Sequence, residues 1–211
     1  MGNRERIIEA SLKLFNERGT SSVTTNHIAA HLSISPGNLY YHFGNKEEII
    51  RAIFPRLADA VHAAIVLPEG RDVTAADVGR YHLAGVETLW EFRFFFWDPK
   101  ELVARDPTLA EPYRELRQWL IDALLALLRR LIAQRVMRPP EPAEDLSRVA
   151  INGFILWSTW VSFVTTSRPE SEIDRGDMVE GALHSFLSFV PYLDPGFAAE
   201  VRAVLDEHAR G

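Results

Sequence analysis

The organisation of this chain can be read outward from one run of nine residues, Ser35-Pro36-Gly37-Asn38-Leu39-Tyr40-Tyr41-His42-Phe43. Serine followed by proline is a typical helix start, with serine as the N-cap and proline at the first helical position. Leu39 and Phe43 lie one helical turn apart and would share a buried face. The adjacent tyrosines would then be exposed, and Gly37 would let the backbone approach another surface closely. The run therefore predicts a short helix that presents polar and aromatic groups to a partner.

The residues around this run predict a helix-turn-helix. Before it, Thr24 caps another short helix, and a tight turn at Ser33-Ile34 joins the two. Such a pair places its second helix in the major groove of DNA. Upstream, a longer amphipathic helix ends near Gly19; downstream, an Asn-x-x-Glu capping box at Asn45 opens a fourth helix over about 46–66. An ordinary helical hairpin, with its serine and threonine acting only as caps, is the alternative.

Residues 4–54 closely resemble the DNA-binding head of TetR-family transcriptional regulators. The resemblance rests on core and contact residues at fixed spacing, above all Leu39-Tyr40-Tyr41-His42-Phe43 followed by Lys46-Glu47-Glu48. By this resemblance the candidate base readers are Asn26, Gly37, Asn38 and Tyr40. The candidate phosphate contacts are Thr24, Thr25, Ser35, Tyr41, His42 and Lys46.

Two positions depart from the family's usual pattern. His27 stands where an acidic residue commonly follows the Thr24 cap, so we expect the capping box of this helix to be lost. Ser33 stands where the turn usually has glycine, and it would be strained if its backbone were left-handed. His27 and His31 also have the i, i+4 spacing of some metal ligands. Because no carboxylate accompanies them on this helix, we interpret them as a solvated pair and predict no metal site and no cofactor.

The composition excludes several classes of protein. A chain of 211 residues without cysteine has no disulfide framework, thiolate zinc site or cysteine nucleophile. The net charge of −6 argues against a general polyanion binder, but residues 1–51 hold six Lys/Arg against five Asp/Glu, and the remainder holds 17 against 24. Specific DNA binding would thus depend on helix N-termini and dimerisation more than on phosphate attraction. The N-terminus lacks the long apolar stretch of a secretory signal, so we expect a cytoplasmic protein.

Beyond residue 51 the sequence predicts helices separated by proline and glycine. Their predicted ranges are 73–97, 99–105, 108–137, 143–167, 174–192 and 195–209. No alternating strand pattern of useful length occurs, so we predict an all-α fold. It would comprise an N-terminal three-helix helix-turn-helix domain (residues 1–50) and a C-terminal helical domain for ligand binding and dimerisation (residues 51–211).

By the same resemblance, the body would form a homodimer through helices 143–167 and 174–192. The first contains 19 uncharged residues from Val149 to Ser167, close to the length of a membrane span. Its serine, threonine and asparagine residues, and the lack of aromatic and basic anchors at its flanks, favour a buried helix and no membrane contact. Small residues such as Gly181 in the second permit close approach between helices. A large monomeric core is the alternative.

Aromatic residues crowd the end of the predicted 73–97 helix, with six of them between Trp90 and Trp97. Because successive residues rotate by about 100° around a helix, they cannot all face one core. The body resembles a TetR subgroup, with a weaker likeness to regulators of polyhydroxyalkanoate and fatty-acid metabolism. Our candidates for an effector pocket are Trp90, Phe94, Trp97, Tyr113, Trp119, Phe154, Trp157 and Trp160, and the candidate polar groups are His62, Tyr81, His82 and Asn152. Core packing is the alternative for each aromatic residue.

Together these features predict a sequence-specific DNA-binding transcriptional regulator. The resemblance implies a repressor that binds a palindromic double-stranded DNA operator as a dimer. An aromatic pocket favours a small apolar or aromatic effector, with a fatty or acyl compound as one candidate, whose binding would change the spacing of the two heads. The alternative is a helical ligand carrier or protein-interaction module with no ligand-gated DNA release. No paired-carboxylate motif, phosphate loop or nucleophile elbow occurs, so no enzyme activity is predicted.

Overall fold

The computed structural model describes residues 2–167 and 173–208, which are helical almost throughout. Within these residues no β-strand forms, and an isolated bridge joins Met137 to Leu193. The prediction of an all-α fold is confirmed. The first four helices are α1 (Asn3–Ser22), α2 (Thr25–His31), α3 (Pro36–His42) and α4 (Lys46–Ala64).

The first three helices pack around the side chains that the sequence places on their inner faces. Leu39 of α3 is fully buried, and Phe43, directly after the helix, is nearly so. They belong to the same hydrophobic core as Phe15 of α1 and Ile28 of α2. Because Leu39 and Phe43 anchor one face of α3, the opposite face is left outside.

Two positions in the head adopt the left-handed backbone region. Gly19 (φ +73°) interrupts α1, where the sequence predicts the end of this helix. Ser33 (φ +55°) occupies the turn between α2 and α3. The strain expected of a non-glycine residue in that turn is therefore present.

The expectation that α2 lacks a capping box is wrong. The His27 N–H donates to Thr24 Oγ1 at 3.3 Å, and the Thr24 N–H donates to His27 Nδ1 at the same distance. An unprotonated imidazole nitrogen is a hydrogen-bond acceptor, so this histidine replaces the acid that the family pattern has here. His27 is thus part of the structure that starts α2.

The rest of the chain forms a helical bundle. Its helices are α5 (Ala75–Glu91), α6 (Phe94–Trp97), α7 (Pro99–Arg105), α8 (Pro107–Ala133), α9 (Leu146–Ser167), α10 (Arg175–Leu187) and α11 (Pro195–His208), with 3₁₀ turns at Ala143–Asp145 and Val190–Tyr192. Helix α5 packs against α4, α10 and α11, while α9 packs against α8 and α10. These contacts make α5 and α9 the two helices around which the body is assembled.

The predicted helix 73–97 is wrong at its C-terminal end. The chain leaves the helix after Glu91 and resumes as α6 at Phe94. The four phenylalanines at 92, 94, 95 and 96 are all buried. A straight helix would have turned some of them away from the core, so the break resolves the crowding that the sequence shows.

Other predicted bounds extend too far. Helix α8 ends at Ala133 rather than 137, and Arg135 just beyond it adopts a left-handed backbone (φ +62°). The predicted 174–192 helix ends at Leu187, before a 3₁₀ turn that contains Pro191. Helix α4 stops at 64 rather than 66. Residue 209, the predicted end of the last helix, lies outside the described residues.

Glycines allow α9 and α10 to approach closely within one chain. A Cβ atom on Gly181 would lie 2.4 Å from Trp160 Cδ1, and one on Gly153 would lie 2.3 Å from Phe189 Cζ. The close approach predicted for Gly181 is therefore present between helices of the same chain. By length and composition alone, residues 143–167 would also pass as a membrane span, as core helices of soluble proteins do.

Candidate DNA-binding surface and internal cavity

The exposed surface of α2 and α3 brings together the candidate base readers. Tyr40 is 51% exposed, and Gly37 and Asn38 are exposed in the first turn of α3. Asn26 is exposed near the start of α2. These four residues therefore lie on an accessible part of the head.

Hydrogen bonding and ring packing hold part of this surface in place. The hydroxyl groups of Tyr40 and Thr25 are hydrogen-bonded at 2.9 Å, which links α3 to the start of α2. Tyr41 is 84% exposed, and the half-buried His42 ring packs edge-on against it with 5.1 Å between ring centroids. The first tyrosine is thus fixed by a neighbouring helix, while the second extends into solvent.

The capping hydroxyl groups retain a hydrogen to donate. Thr24 Oγ1 accepts the His27 N–H, and Ser35 Oγ accepts the Asn38 N–H at 3.2 Å. A hydroxyl that accepts such a bond can still donate its own hydrogen. Both residues are exposed at helix N-termini, where the helix dipole favours an anion.

Lys46 is tied to the last turn of α1 and to Val23, which follows that helix. Its half-buried Nζ donates to the carbonyl oxygens of Thr20 and, at 3.1 Å, Val23. Burial lowers the pKa of this lysine, and the nearby Glu47 opposes that shift. An ammonium group has three donors, so one hydrogen remains beyond the bonds to Thr20 and Val23. The side chain thus connects the start of α4 to the segment that precedes Thr24.

An apolar cavity of about 90 Å³ opens into the body. Its walls come from α4, α5, α8, α9, α10 and the segment after α10. Of the eight predicted pocket aromatics, Phe154 and Trp157 line it, and a smaller adjoining pocket is lined by these two and Tyr113.

The other five predicted aromatics lie elsewhere. Phe94 packs against Phe15 in the core, and the guanidinium of Arg93 lies over the ring of Trp90. The remaining three are Trp97, close to Gly19, Trp119, whose ring meets His62, and Trp160, which stacks on His184. Trp160 Nε1 also donates to the Asp177 carbonyl at 2.6 Å.

Sequence reasoning missed most of the cavity wall. Five leucines of α8 line it, namely Leu120, Leu124, Leu127, Leu128 and Leu131. Their spacing of three and four residues is the pattern of one helix face, which was the available signal. Of the predicted polar groups, Tyr81 and His82 line the cavity, whereas His62 and Asn152 do not.

The cavity wall carries no charged side chain among the described residues. Three of its hydroxyl groups donate to main-chain carbonyl groups: Tyr81 to Val66 at 2.8 Å, Thr88 to Ala84 at 2.9 Å, and Ser185 to Gly153 at 3.5 Å. In the part of the chain that the structure describes, no three His, Asp or Glu residues are grouped to hold a metal ion. The site can therefore hold an apolar molecule by contact and shape.

One helix connects the cavity to the head. The C-terminal end of α4 contributes Val61 and Ala64 to the cavity wall, and its N-terminal Lys46 holds the loop before α2. In the second turn of α4, Arg51 forms an ion pair of 2.5 Å with Asp106, the buried N-cap of α8. The helix is thus in contact with the cavity, the body and the head along one continuous length.

A second connection runs through Asn16 of α1. Its Nδ2 donates to the Glu91 carbonyl at 2.6 Å, and its Oδ1 accepts the Phe94 N–H at 3.2 Å. These two main-chain groups flank the break between α5 and α6. Phe96 of α6 meets the ring of Trp157, with 5.1 Å between centroids, so the break adjoins the cavity wall as well.

The outer faces of α9 and α10 expose apolar side chains. Ile151, Ile155 and Phe163 of α9 are exposed, the last by 61%, and so is Leu187 of α10. Singly exposed apolar residues are ordinary, but a row of them along adjacent helices is typical of an interaction surface.

Comparison with known proteins places these features in a family. Residues 7–53 match the family model described as bacterial regulatory proteins, tetR family, and residues 56–201 match the model described as bacterial transcriptional repressor. A solved TetR-family transcriptional regulator from Marinobacter aquaeolei VT8 is 34% identical, with 99% of each chain covered and a TM-score of 0.84.

Two further proteins are similar to this chain, one over 57 residues and one over most of its length. An HTH-type transcriptional regulator of Staphylococcus aureus (strain USA300) is 40% identical over 57 residues, which is 27% of this chain and 31% of that protein. This match thus spans less than a third of the curated relative. The solved SmeT–triclosan complex shares the fold, with a TM-score of 0.60, 19% identity and coverage of 92% of this chain and 93% of that one.

Proposed function

The chain belongs to the TetR family of transcriptional regulators, and we propose that it is a cytoplasmic repressor released from its operator by a small apolar or aromatic effector. The observation that carries this proposal is the course of α4. Its C-terminal end lines the apolar cavity, and its first residue, Lys46, is bonded to the loop that precedes the helix-turn-helix. A change in the cavity can therefore reach the DNA-binding surface through a single helix.

The head would read DNA through α3. In this proposal residues 1–50 bind a palindromic operator, with base contacts from Asn26, Gly37, Asn38 and Tyr40. Phosphate contacts would come from Thr24, Thr25, Ser35, Tyr41 and His42, and from the remaining hydrogen of Lys46. The exposure of Tyr40 and Tyr41 and the outward hydroxyl groups of the caps support these roles.

A homodimer would bring two such heads together. We propose that residues 51–211 dimerise through the outer faces of α9 and α10, where Ile155, Phe163 and Leu187 are exposed. The exposed stripe on α10 also contains Glu180 and His184, which suit a wet protein interface better than lipid. A two-fold symmetric pair matches the symmetry of a palindromic operator.

Effector binding would act on the connections between the body and the head. A molecule in the cavity would contact Val61 and Ala64 of α4 on one side and Trp157, which meets α6 through Phe96, on the other. Displacement of α4 or α6 would alter the spacing of the two heads and weaken DNA binding. The SmeT–triclosan complex, a protein of the same fold at 19% identity, supports a small-molecule site in this fold.

A DNA-binding assay on the full chain tests this function. We expect a specific, salt-sensitive gel shift with DNA upstream of the chain's own gene and a two-fold symmetric footprint. Tyr40→Ala should weaken binding by at least tenfold, because it removes a candidate base contact. Tyr192→Ala, in a 3₁₀ turn of the body, is the matched control and should bind DNA normally. Equal binding to scrambled DNA would instead favour a ligand carrier or protein-interaction module.

A further inference from the structure

The indole N–H of Trp157 is a buried donor without a partner at the cavity wall. Its Nε1 is inaccessible to solvent and has no hydrogen-bond acceptor among the described residues. A Cβ on Gly85, another lining residue, would lie only 3.0 Å from this nitrogen, so the N–H group lies against the α5 side of the cavity. Leaving such a donor unsatisfied is costly, and native structures usually satisfy it with a protein group, a water molecule or a ligand.

His82 supplies an acceptor on the same wall. It precedes Gly85 by three residues, which places both on one face of α5. Its Nδ1 lies 2.9 Å from the Val78 carbonyl oxygen, to which only a protonated Nδ1 can donate. Burial lowers the pKa of this histidine and keeps the ring neutral, so Nε2 carries a lone pair. Among the described residues, Nε2 has no hydrogen-bond partner.

The other side chains of the cavity wall are apolar, or their hydroxyl groups already donate a hydrogen bond within the protein. The hydroxyl groups of Tyr81, Thr88 and Ser185 donate to carbonyl groups, and the wall has no charged side chain among the described residues. Arg117 lines only the smaller adjoining pocket, where it is exposed. An ionised carboxylate or amine in the main cavity would lose its hydration without gaining a counter-ion.

We infer that the main cavity takes an uncharged, largely hydrocarbon molecule carrying one hydroxyl group, such as an alcohol or a phenol. The hydroxyl oxygen would accept the Trp157 N–H, and its hydrogen would be donated to His82 Nε2. The hydrocarbon part would lie against the leucines of α8 and the rings of Phe154 and Phe186. This inference rests on the proposed effector role of the cavity. It limits the effector to one class of ligand and excludes free fatty acids.

Three matched probes test the inference by calorimetry on the full-length protein: 4-propylphenol, propylbenzene and 4-propylbenzoate. We expect the phenol and the hydrocarbon to bind and the benzoate to bind at least tenfold more weakly than the phenol. Trp157→Phe should weaken phenol binding about three- to tenfold more than it weakens hydrocarbon binding, because only the phenol loses a hydrogen bond. His82→Phe, which keeps an aromatic ring against Phe186, should also weaken phenol binding more than hydrocarbon binding.

Trp119→Phe is the matched control, because Trp119 lies outside both pockets. It should leave the phenol-to-hydrocarbon affinity ratio unchanged. The inference is overturned if no probe binds, if the benzoate binds as tightly as the phenol, or if neither cavity variant changes that ratio. DNA affinity measured without any probe separates this inference from the proposed DNA-binding function. If the protein binds specific DNA but no probe, the ligand assignment is wrong and the DNA-binding function stands. Probe binding with no effect on specific DNA binding removes only the effector role.

Discussion

Replacing Asn16 by alanine removes the side chain that joins α1 to the break between α5 and α6. Asn16 is nearly buried and makes two hydrogen bonds, to the Glu91 carbonyl and from the Phe94 N–H. Loss of the bond to the Glu91 carbonyl costs about 1 kcal/mol net, and leaving the buried Phe94 N–H without a partner costs about 1–3 kcal/mol. Since the Phe94 N–H lies in a buried setting, we expect Asn16→Ala to destabilise the protein by about 2–4 kcal/mol.

Asn26→Ala is the matched control, because it is the same substitution at an exposed position of α2. Its effect on stability should stay within about 0.5 kcal/mol, while DNA affinity falls about five- to tenfold. Urea unfolding followed by circular dichroism measures both variants at one fixed protein concentration, because the midpoint of the proposed dimer would depend on concentration. Equal unfolding midpoints for Asn16→Ala and the unmodified chain would refute the role assigned to these two bonds.

Three further substitutions test the packing and electrostatics of the fold. Asp77, buried and bonded to Arg71, Arg80 and Thr74, has its pKa held well below the usual range chiefly by the Arg71 bond. Its stabilisation is therefore complete above the unfolded pKa of about 3.9, declines as the pH falls below that value, and is lost only below the much lower folded pKa. The difference in thermal unfolding midpoint between Asp77→Asn and the unmodified chain should therefore shrink as the pH falls below about 4 and should still be present at about pH 3. Gly181→Ala should lower the unfolding free energy by about 1–3 kcal/mol in urea titrations, because its Cβ would overlap Trp160, and no change would show that α10 can move away. Ser33→Gly should raise stability by about 0.5–1 kcal/mol in the same assay by relieving the left-handed backbone; a loss would mean that the serine side chain contributes a compensating contact.

The head could be predicted from its sequence because its determinants are local. The spacing of Leu39 and Phe43 defines the buried face of α3, and the Ser-Pro start defines its first residue. Gly19 and Ser33 mark turns for steric reasons that act within a few residues. The histidine cap of α2 was missed because imidazole is an uncommon capping acceptor, although its position, three residues after Thr24, was the available signal.

The cavity depends on contacts between distant segments, which sequence patterns do not specify. Phe154 and Trp157 were predicted for the pocket and do line it, but Phe94 was drawn into the core by the break after Glu91. The main chain at that break is hydrogen-bonded to Asn16, which lies 75 residues before Glu91 in the chain. The aromatic composition therefore predicted that some rings would line a cavity. Tertiary packing determines which of the aromatic residues do so.

The most direct test of the central claim measures DNA binding and cavity occupancy in the same sample. Fluorescence anisotropy would follow the full chain on DNA from upstream of its own gene while 4-propylphenol is added, with calorimetry to establish that the probe binds. We predict specific, salt-dependent binding whose affinity falls at least about fivefold as the cavity fills, within the usual range of allosteric coupling. Unchanged DNA affinity with the cavity occupied, or equal affinity for scrambled DNA, would contradict this prediction.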